Sequence, residues 1–243
     1  MRAYVSLAAI AAATAVLAPA AGAQGTGAES ERRGWTPTVI VGGGLNYAQS
    51  VGEFADNVKG GAGGSGFAVI GLDRAGIFGL RVDGGFLIYG HERKRVPLSS
   101  TIGGRITVDV TTNNNIALLG IGPQITAPRG PIRPYVNGTV GLAYFFTRSS
   151  VSGTNNESPF ASTENYNDPQ LALGGGAGVY IPLPTTRVPV MLDVGARFQG
   201  NGRARYLKEG SITDNTDGSI SYTPIESQTN FVTYHLGVSV QIR

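Results

Sequence analysis

The sequence predicts an all-β fold: an eight-stranded antiparallel up-and-down barrel that crosses a membrane with its strands. Three observations predict it. Apolar residues alternate with period two in one segment after another. Glycine is abundant, 37 of 243 residues, while charge is scarce at 14%; an ordinary soluble domain carries about a quarter. Within the alternating segments the charges share a face with the glycines and leave the valines and leucines to the other face.

The same composition excludes other classes. There is no cysteine, so no disulfide framework and no cysteine metal site. Beyond the N-terminus no apolar run is long enough for a membrane helix. A net charge of +3 with 41% hydrophobic residues does not suit a disordered chain. Nineteen Lys and Arg against 16 Asp and Glu give no argument for a nucleic-acid partner.

The chain opens with an address. Arg2 supplies a positive charge, Ala3 to Leu17 is apolar, and Ala21-Gly22-Ala23 is a small-residue cleavage site. Residues 1–23 are expected to be a signal peptide removed after Ala23, followed by a short periplasmic segment, 24–35, and a barrel domain, 36–243. No cysteine follows the expected cleavage site, so no lipid anchor is expected there.

Eight strands are expected at 36–47, 66–74, 77–92, 105–126, 133–148, 169–182, 188–207 and 219–242. In the third, Leu80, Val82, Phe86 and Ile88 alternate with Arg81, Asp83, Gly85 and Leu87. The fifth alternates Val136, Val140 and Leu142 with Asn137, Thr139 and Gly141. The seventh sets Val190, Leu192, Val194 and Phe198 against Met191, Asp193, Arg197 and Gln199. The eighth is the clearest, with Val232, Tyr234, Leu236, Val238, Val240 and Ile242 on one parity. The fourth has a fault. Its apolar residues are even at Ile106, Val108 and Val110 but odd at Ala117, Leu119 and Ile121. Either a bulge near Thr111 to Asn115 or an extra turn would cause that.

Connections alternate in length. Those at 48–65, 149–168 and 208–218 are expected to be long loops, 93–104 a moderate one, and those near 75–76, 127–132 and 183–187 short. Long connections at one end and short ones at the other describe a membrane barrel with external loops and periplasmic turns. The faces decide the medium. A charge facing lipid near the midplane costs about 2–4 kcal/mol. Arg81, Asp83, Asp193 and Arg197 are therefore assigned to the lumen as a charge network, and the Val/Leu/Ile/Phe face to lipid. A soluble, lipocalin-like barrel would invert the two faces.

From Trp35 to Arg243 the chain resembles the small eight-stranded outer-membrane barrels of the OmpA/OmpX/OmpW type. The most specific match is His235-Leu236-Gly237-Val238-Ser239-Val240-Gln241-Ile242, which follows the alternating terminal strand of that family. The resemblance implies that His235, Gly237, Val240 and Ile242 form the barrel-assembly signal. It implies partners in outer-membrane lipid and lipopolysaccharide, the barrel-assembly machinery and periplasmic chaperones, and a monomer with both termini periplasmic. The chain departs from the pattern by ending in Ile242-Arg243 where the family has a terminal aromatic. No peptidoglycan-binding domain is expected after the last strand.

Two further groups are candidates. Arg93, Lys94 and Arg95 at the end of the third strand, with Arg203 and Arg205 on the seventh, could clamp lipopolysaccharide phosphates, because guanidinium forks match phosphate geometry. The alternative is a solvated charged tip. The long polar loops could carry adhesion or docking. Gly42–Gly44, Gly60–Gly66 and Gly174–Gly176 lack the spacing and following helix of nucleotide-binding loops. Two distant histidines and no cysteine make neither a metal site nor a nucleophile with its base. No cofactor and no enzyme activity are expected. The role predicted is structural or surface-interacting in the outer membrane, with a narrow porin-like channel for small or apolar solutes as the alternative.

Overall fold

The computed structural model describes residues 36–98, 106–184, 188–215 and 220–242, the side chains at 156, 157 and 214 aside. The expected signal peptide and the segment 24–35 lie outside the described residues. Eight antiparallel strands close into one barrel: β1 (Val39–Ser50), β2 (Gly60–Gly71), β3 (Phe78–Pro97), β4 (Thr107–Thr126), β5 (Arg133–Gly153), β6 (Asn156–Pro182), β7 (Val190–Asn201) and, last in the chain, β12 (Phe231–Ile242). Each pairs with its sequence neighbour, and β12 closes the ring on β1 from Val39↔Ile242 to Ser50↔Phe231. Between β7 and β12 lie two short ribbons: β8 (Arg203–Tyr206) pairs with β11 (Ile225–Gln228), and β9 (Ile212–Asp214) with β10 (Ile220–Tyr222).

The outward face is apolar. Leu45 is 76% exposed, Leu119 60%, Leu171 60% and Leu236 58%. Around the ring they are joined by Val82, Phe86, Val140, Leu142, Val194 and Phe198, all exposed. On β12 the outward set runs from Val232 to Ile242. Ten residue steps of about 3.3 Å, tilted by about 40°, project to about 25 Å, the height of the apolar band on outer-membrane barrels. In water this surface would be costly; against acyl chains it is the favourable one.

Several expected boundaries are corrected. Gly60 to Gly64, read as loop, opens β2. A Cβ at Gly61 or Gly63 would collide with the carbonyl oxygen of Ile88 or of Phe86, so here glycine permits close strand contact and does not mark a turn. The true connection is shorter and carries a single 3-10 turn, Gly52–Phe54. The polar 149–168 is not a loop either. β5 and β6 continue through it as one hairpin to a turn at Thr154–Asn155, with register shifts at Thr147/Arg148 and at Val151 to Gly153. Above the membrane both faces meet water, so apolar alternation vanishes while the ladder persists. The expected seventh strand breaks at Gly202, where Asn201 turns aside: its amide and its Nδ2 donate to Asn230 Oδ1 and Thr229 O.

The fault in the fourth strand has a different cause from either reading. β4 pairs with β5 in one unbroken register from Val108↔Gly153 to Thr126↔Tyr135. The bulge lies across the sheet, on β3 at Tyr89, between the pairs Ile88↔Asn115 and Gly90↔Asn114. Ile116 and Val108 are buried while Leu119 and Ile121 are exposed. Ile116, inward on the even parity, joins the apolar cluster at the mouth, whereas Leu119 and Ile121 keep the outward, odd parity.

Two apolar clusters fill that interior. At the mouth, Phe54, Leu87, Ile116, Phe145, Tyr206 and Phe231 are buried together, with Tyr89 against them. Phe54 meets Tyr206, Tyr89 and Phe145 edge-on at centroid distances of 5.2, 5.9 and 6.3 Å. Near the short turns, Ile40, Phe67, Val69, Tyr135, Tyr180 and Met191 form the second.

Candidate functional site

Between the two clusters sits the polar centre of the lumen. Asp83 on β3 accepts through Oδ1 from Arg81 Nε at 3.1 Å and from Arg197 Nη1 of β7 at 2.8 Å. Arg81 also donates to Gln124 Oε1 at 3.0 Å and lies 4.0 Å over the Phe67 ring. Arg197 donates to Thr139 Oγ1 at 2.5 Å. Asp193 stands apart from these three. It accepts from the Tyr135 hydroxyl at 2.8 Å and lies 3.3 Å from His235 Nε2, which is itself 3.0 Å from that hydroxyl. Because Tyr135 gives its single proton to Asp193, His235 Nε2 must be the donor to the tyrosine oxygen, which selects the Nε2-protonated ring. The halves join through Gln124, which donates to Tyr180 at 3.2 Å, and Tyr180 stacks on Tyr135 at 4.5 Å.

These charges are buried: Arg81 is 7% and Asp193 1% exposed. Burial of a charge is tolerated only with partners, and here every one has them. The glycines make the space. A Cβ at Gly195 would sit 2.5 Å from His235 Cε1, and one at Gly174 2.7 Å from Thr139 Oγ1 and 2.8 Å from Arg197 Nε. What remains is a cavity of about 60 Å³, lined among others by Arg81, Asp83, Asn137, Asp193, Arg197 and His235. At roughly 10–15 Å³ each it takes four to six waters. Arg197 Nε, a donor, and Asn137 Oδ1, an acceptor, are buried on its wall without a protein partner, as suits such water.

Among the described residues, the mouth is covered by an arm made of 202–215 and 220–228. Glu53, in the turn that carries Phe54 into the mouth cluster as a plug, accepts from Arg203 at 3.3 Å and from the Gln228 amide at 3.0 Å. A reciprocal pair joins the arm to β3: His91 N donates to Glu209 Oε1 at 3.1 Å and Gly210 N to Glu92 Oε2 at 3.2 Å. Tyr89 OH donates to Leu207 O at 3.1 Å. The Lys94 ammonium, and then the Gly210 amide, hold the Glu92 carboxyl below its ordinary range against the opposing effect of burial.

The expected phosphate contacts are all engaged. Arg93 and Arg95 both pair with Asp109, at 2.8 and 2.9 Å; Lys94 pairs with Glu92 at 2.8 Å. Arg203 and Arg205 share Glu226, at 3.6 and 2.9 Å. Arg95 foremost, then Arg93, pulls the Asp109 carboxyl down to about 2. A lipid phosphate at these cations competes with carboxylates already in place. Of the terminal-strand residues, His235 is in the lumen, Ile242 faces outward, and Gly237 lies so close to β1 that a Cβ would collide with Gly43 O; Val240 is half-buried. Asp73, just past the end of β2, ties the β2–β3 turn, accepting from Phe78 N at 2.7 Å and Ala75 N at 3.0 Å.

Sequence reasoning missed Gln124, Tyr135 and Tyr180 as partners of the lumen charges. All three lie on the inward parity of their strands, so the parity test applied to charges would have found them if applied to every polar side chain. Phe54 carried no such signal, since it sits in a connection.

Outward apolar residues, inward charges and a closed ring of eight strands occur together in one architecture. This is the fold of a small transmembrane β-barrel. No protein-family model and no curated protein matches the chain. Solved structures that it is similar to are outer-membrane barrels. The attachment invasion locus protein Ail of Yersinia pestis has 12% identity and a TM-score of 0.46, covering 86% of this chain and 100% of that one. Neisserial surface protein A has 15% identity and a TM-score of 0.42, covering 84% and 96%. The outer membrane protein OprG of Pseudomonas aeruginosa has 11% identity and a TM-score of 0.42, covering 86% and 97%.

Proposed function

We propose that this barrel is a structural and surface-interacting protein of the outer membrane, with its termini and short turns in the periplasm, and that it neither conducts solutes nor catalyses a reaction. One observation carries the reading: the lumen is blocked at two levels, by the aromatic cluster around Phe54 and by the layer of Phe67, Tyr135, Tyr180 and Met191. The space that the lumen charges line between them is the cavity of about 60 Å³, far below the several hundred Å³ of a typical ligand pocket. What the barrel offers instead is surface. The β3–β4 and β5–β6 hairpins continue past the apolar band to Pro97/Thr107 and Gly153/Asn156. Their Ser, Thr and Asn side chains, such as the Thr112–Ser149 pair at 2.9 Å, present a hydrogen-bonded polar sheet. Its assembly would use the barrel-assembly machinery and periplasmic chaperones, and lipid with lipopolysaccharide would surround it as a monomer.

The test is single-channel recording of refolded protein in a planar bilayer, with folding verified by heat-dependent gel mobility. Folded protein that stays silent agrees with the reading. Discrete conductance steps altered by Arg81→Ala or Asp193→Ala would establish the porin-like alternative.

A further inference from the structure

The cations at the two ends of the barrel differ in their partners. At the mouth, Arg93, Lys94, Arg95, Arg203 and Arg205 are each matched to a carboxylate. At the opposite end the short turns carry Arg74 and Arg129, both exposed, and neither makes an ion pair among the described residues. Asp73 is the only carboxylate side chain on the described residues of these turns, and both its oxygens accept backbone amides.

A cavity of about 50 Å³ opens between turns 72–77 and 127–132, lined among others by Arg74, Arg133, Thr38, Thr126 and Gln241. The turns are joined by Thr126 N donating to Ile77 O at 2.8 Å. Arg133 is held in place by donating Nε to Ala127 O at 2.9 Å and Nη1 to Gln241 Oε1 at 2.8 Å. Immediately beside this groove Leu72, Phe78, Ile125 and Ile132 are exposed, continuous with the lipid-facing band.

We propose that this groove binds the headgroup of an anionic phospholipid from the periplasmic leaflet. Its phosphate would be met by Arg74 and Arg133, with Arg129 at the rim and the acyl chains lying along Phe78 and Ile125. The inference rests on the orientation proposed for the barrel, with the short turns in the periplasm. Guanidinium groups match phosphate from either source. Two features favour a lipid over a free ion. Arg74 and Arg129, which make no ion pair among the described residues, lie at the edge of an apolar band, where lipid headgroups are. The groove is continuous with exposed apolar surface through Phe78, which lines it.

Native mass spectrometry of the refolded protein tests it, titrating phosphatidylglycerol and, in parallel, phosphatidylcholine. The wild type is expected to retain phosphatidylglycerol in preference. Arg74→Gln with Arg129→Gln should weaken that retention about 25-fold, at about fivefold for each arginine beside an anionic headgroup, and leave phosphatidylcholine unchanged. Arg93→Gln with Arg95→Gln should change neither. Equal retention of the two lipids, or indifference to the Arg74/Arg129 pair, would overturn the proposal. So would full displacement by millimolar inorganic phosphate, which would mark a plain anion site. Binding to isolated peptidoglycan that is lost in the same variant, without lipid preference, would reassign the arginines to the cell wall. Gel mobility of the same samples separates the two claims: a normal heat shift without lipid preference sinks this inference alone, and no shift sinks the membrane reading.

Discussion

Asp83→Asn is the most informative single change. The carboxylate is the shared partner of Arg81 and Arg197, and its side chain is only 11% exposed. Asn keeps the shape and one acceptor but removes the charge, leaving two buried guanidinium groups facing each other across a neutral amide. Removing one partner of a buried pair costs about 3–5 kcal/mol. That is a drop of roughly two to four powers of ten in the folding equilibrium. Urea unfolding in phospholipid vesicles, read from the gel mobility of unboiled samples, measures it directly as a shift in midpoint at unchanged slope. A triple variant separates charge from packing. Asp83→Asn combined with Arg81→Met and Arg197→Met removes all three charges at similar volume, and should recover most of the loss, because uncharged replacement of a buried network is close to neutral. A cost below about 1 kcal/mol for Asp83→Asn would refute the reasoning: it would mean that water in the lumen screens the arginines as well as Asp83 does.

The glycines of β6 give a paired test. Gly174→Ala places a methyl against Thr139 and Arg197, whereas a Cβ at Gly175 meets nothing within 4 Å; the first should cost about 1–3 kcal/mol and the second should be tolerated in the same unfolding assay. Phe54→Ala empties the centre of the mouth cluster and should cost about 3–5 kcal/mol. The bilayer should nevertheless stay silent, because the Tyr135–Tyr180 layer below is untouched. Acid should act on the β3–β4 hairpin late. The Asp109 carboxyl is depressed to about 2 by Arg95 and Arg93, so its contribution is complete above its unfolded value of about 4 and is lost as pH falls from there through 2. Carbon-detected titration of the Asp109 carboxyl should show the midpoint, and a midpoint near 4 would mean the arginines are not held against it.

Much of the barrel was legible because a strand in lipid obeys a strict rule: outward residues apolar, inward ones small or polar. β3, β5, β7 and β12 could be read on that rule alone, and the lumen charges followed from it. The rule fails where the medium changes. Beyond the membrane, β5 and β6 run on through Ser149 to Asn167 with water on both sides, and nothing in the alternation marks them as strands. The plug fails for another reason: Phe54 is brought to Tyr206 by a one-turn helix and an arm far apart in sequence, and periodicity within a segment cannot report contacts between segments. Gly60 to Gly64 misled because glycine has two uses, and only the partner backbone on β3 shows which applies.

The glycine content and the closed lumen follow from one constraint. An eight-stranded ring has an interior just wide enough for side chains, so each large inward residue needs a small one across from it. Tyr135 faces Gly178, where a Cβ would lie 2.5 Å from its hydroxyl, and His235 faces Gly195 in the same way. Asp83 is similarly opposed by Gly120, where a Cβ would lie 2.9 Å from Oδ2. The glycines are therefore counterparts of the charged and aromatic residues and not spare volume. Removing one charge frees a space the size of one side chain, while the aromatic cluster above and the tyrosine layer below still close the path. A channel would require both layers to open together. Among the described residues, the parts free to meet a partner without dismantling the interior are the hairpins above the membrane and the arginine-lined turns below it.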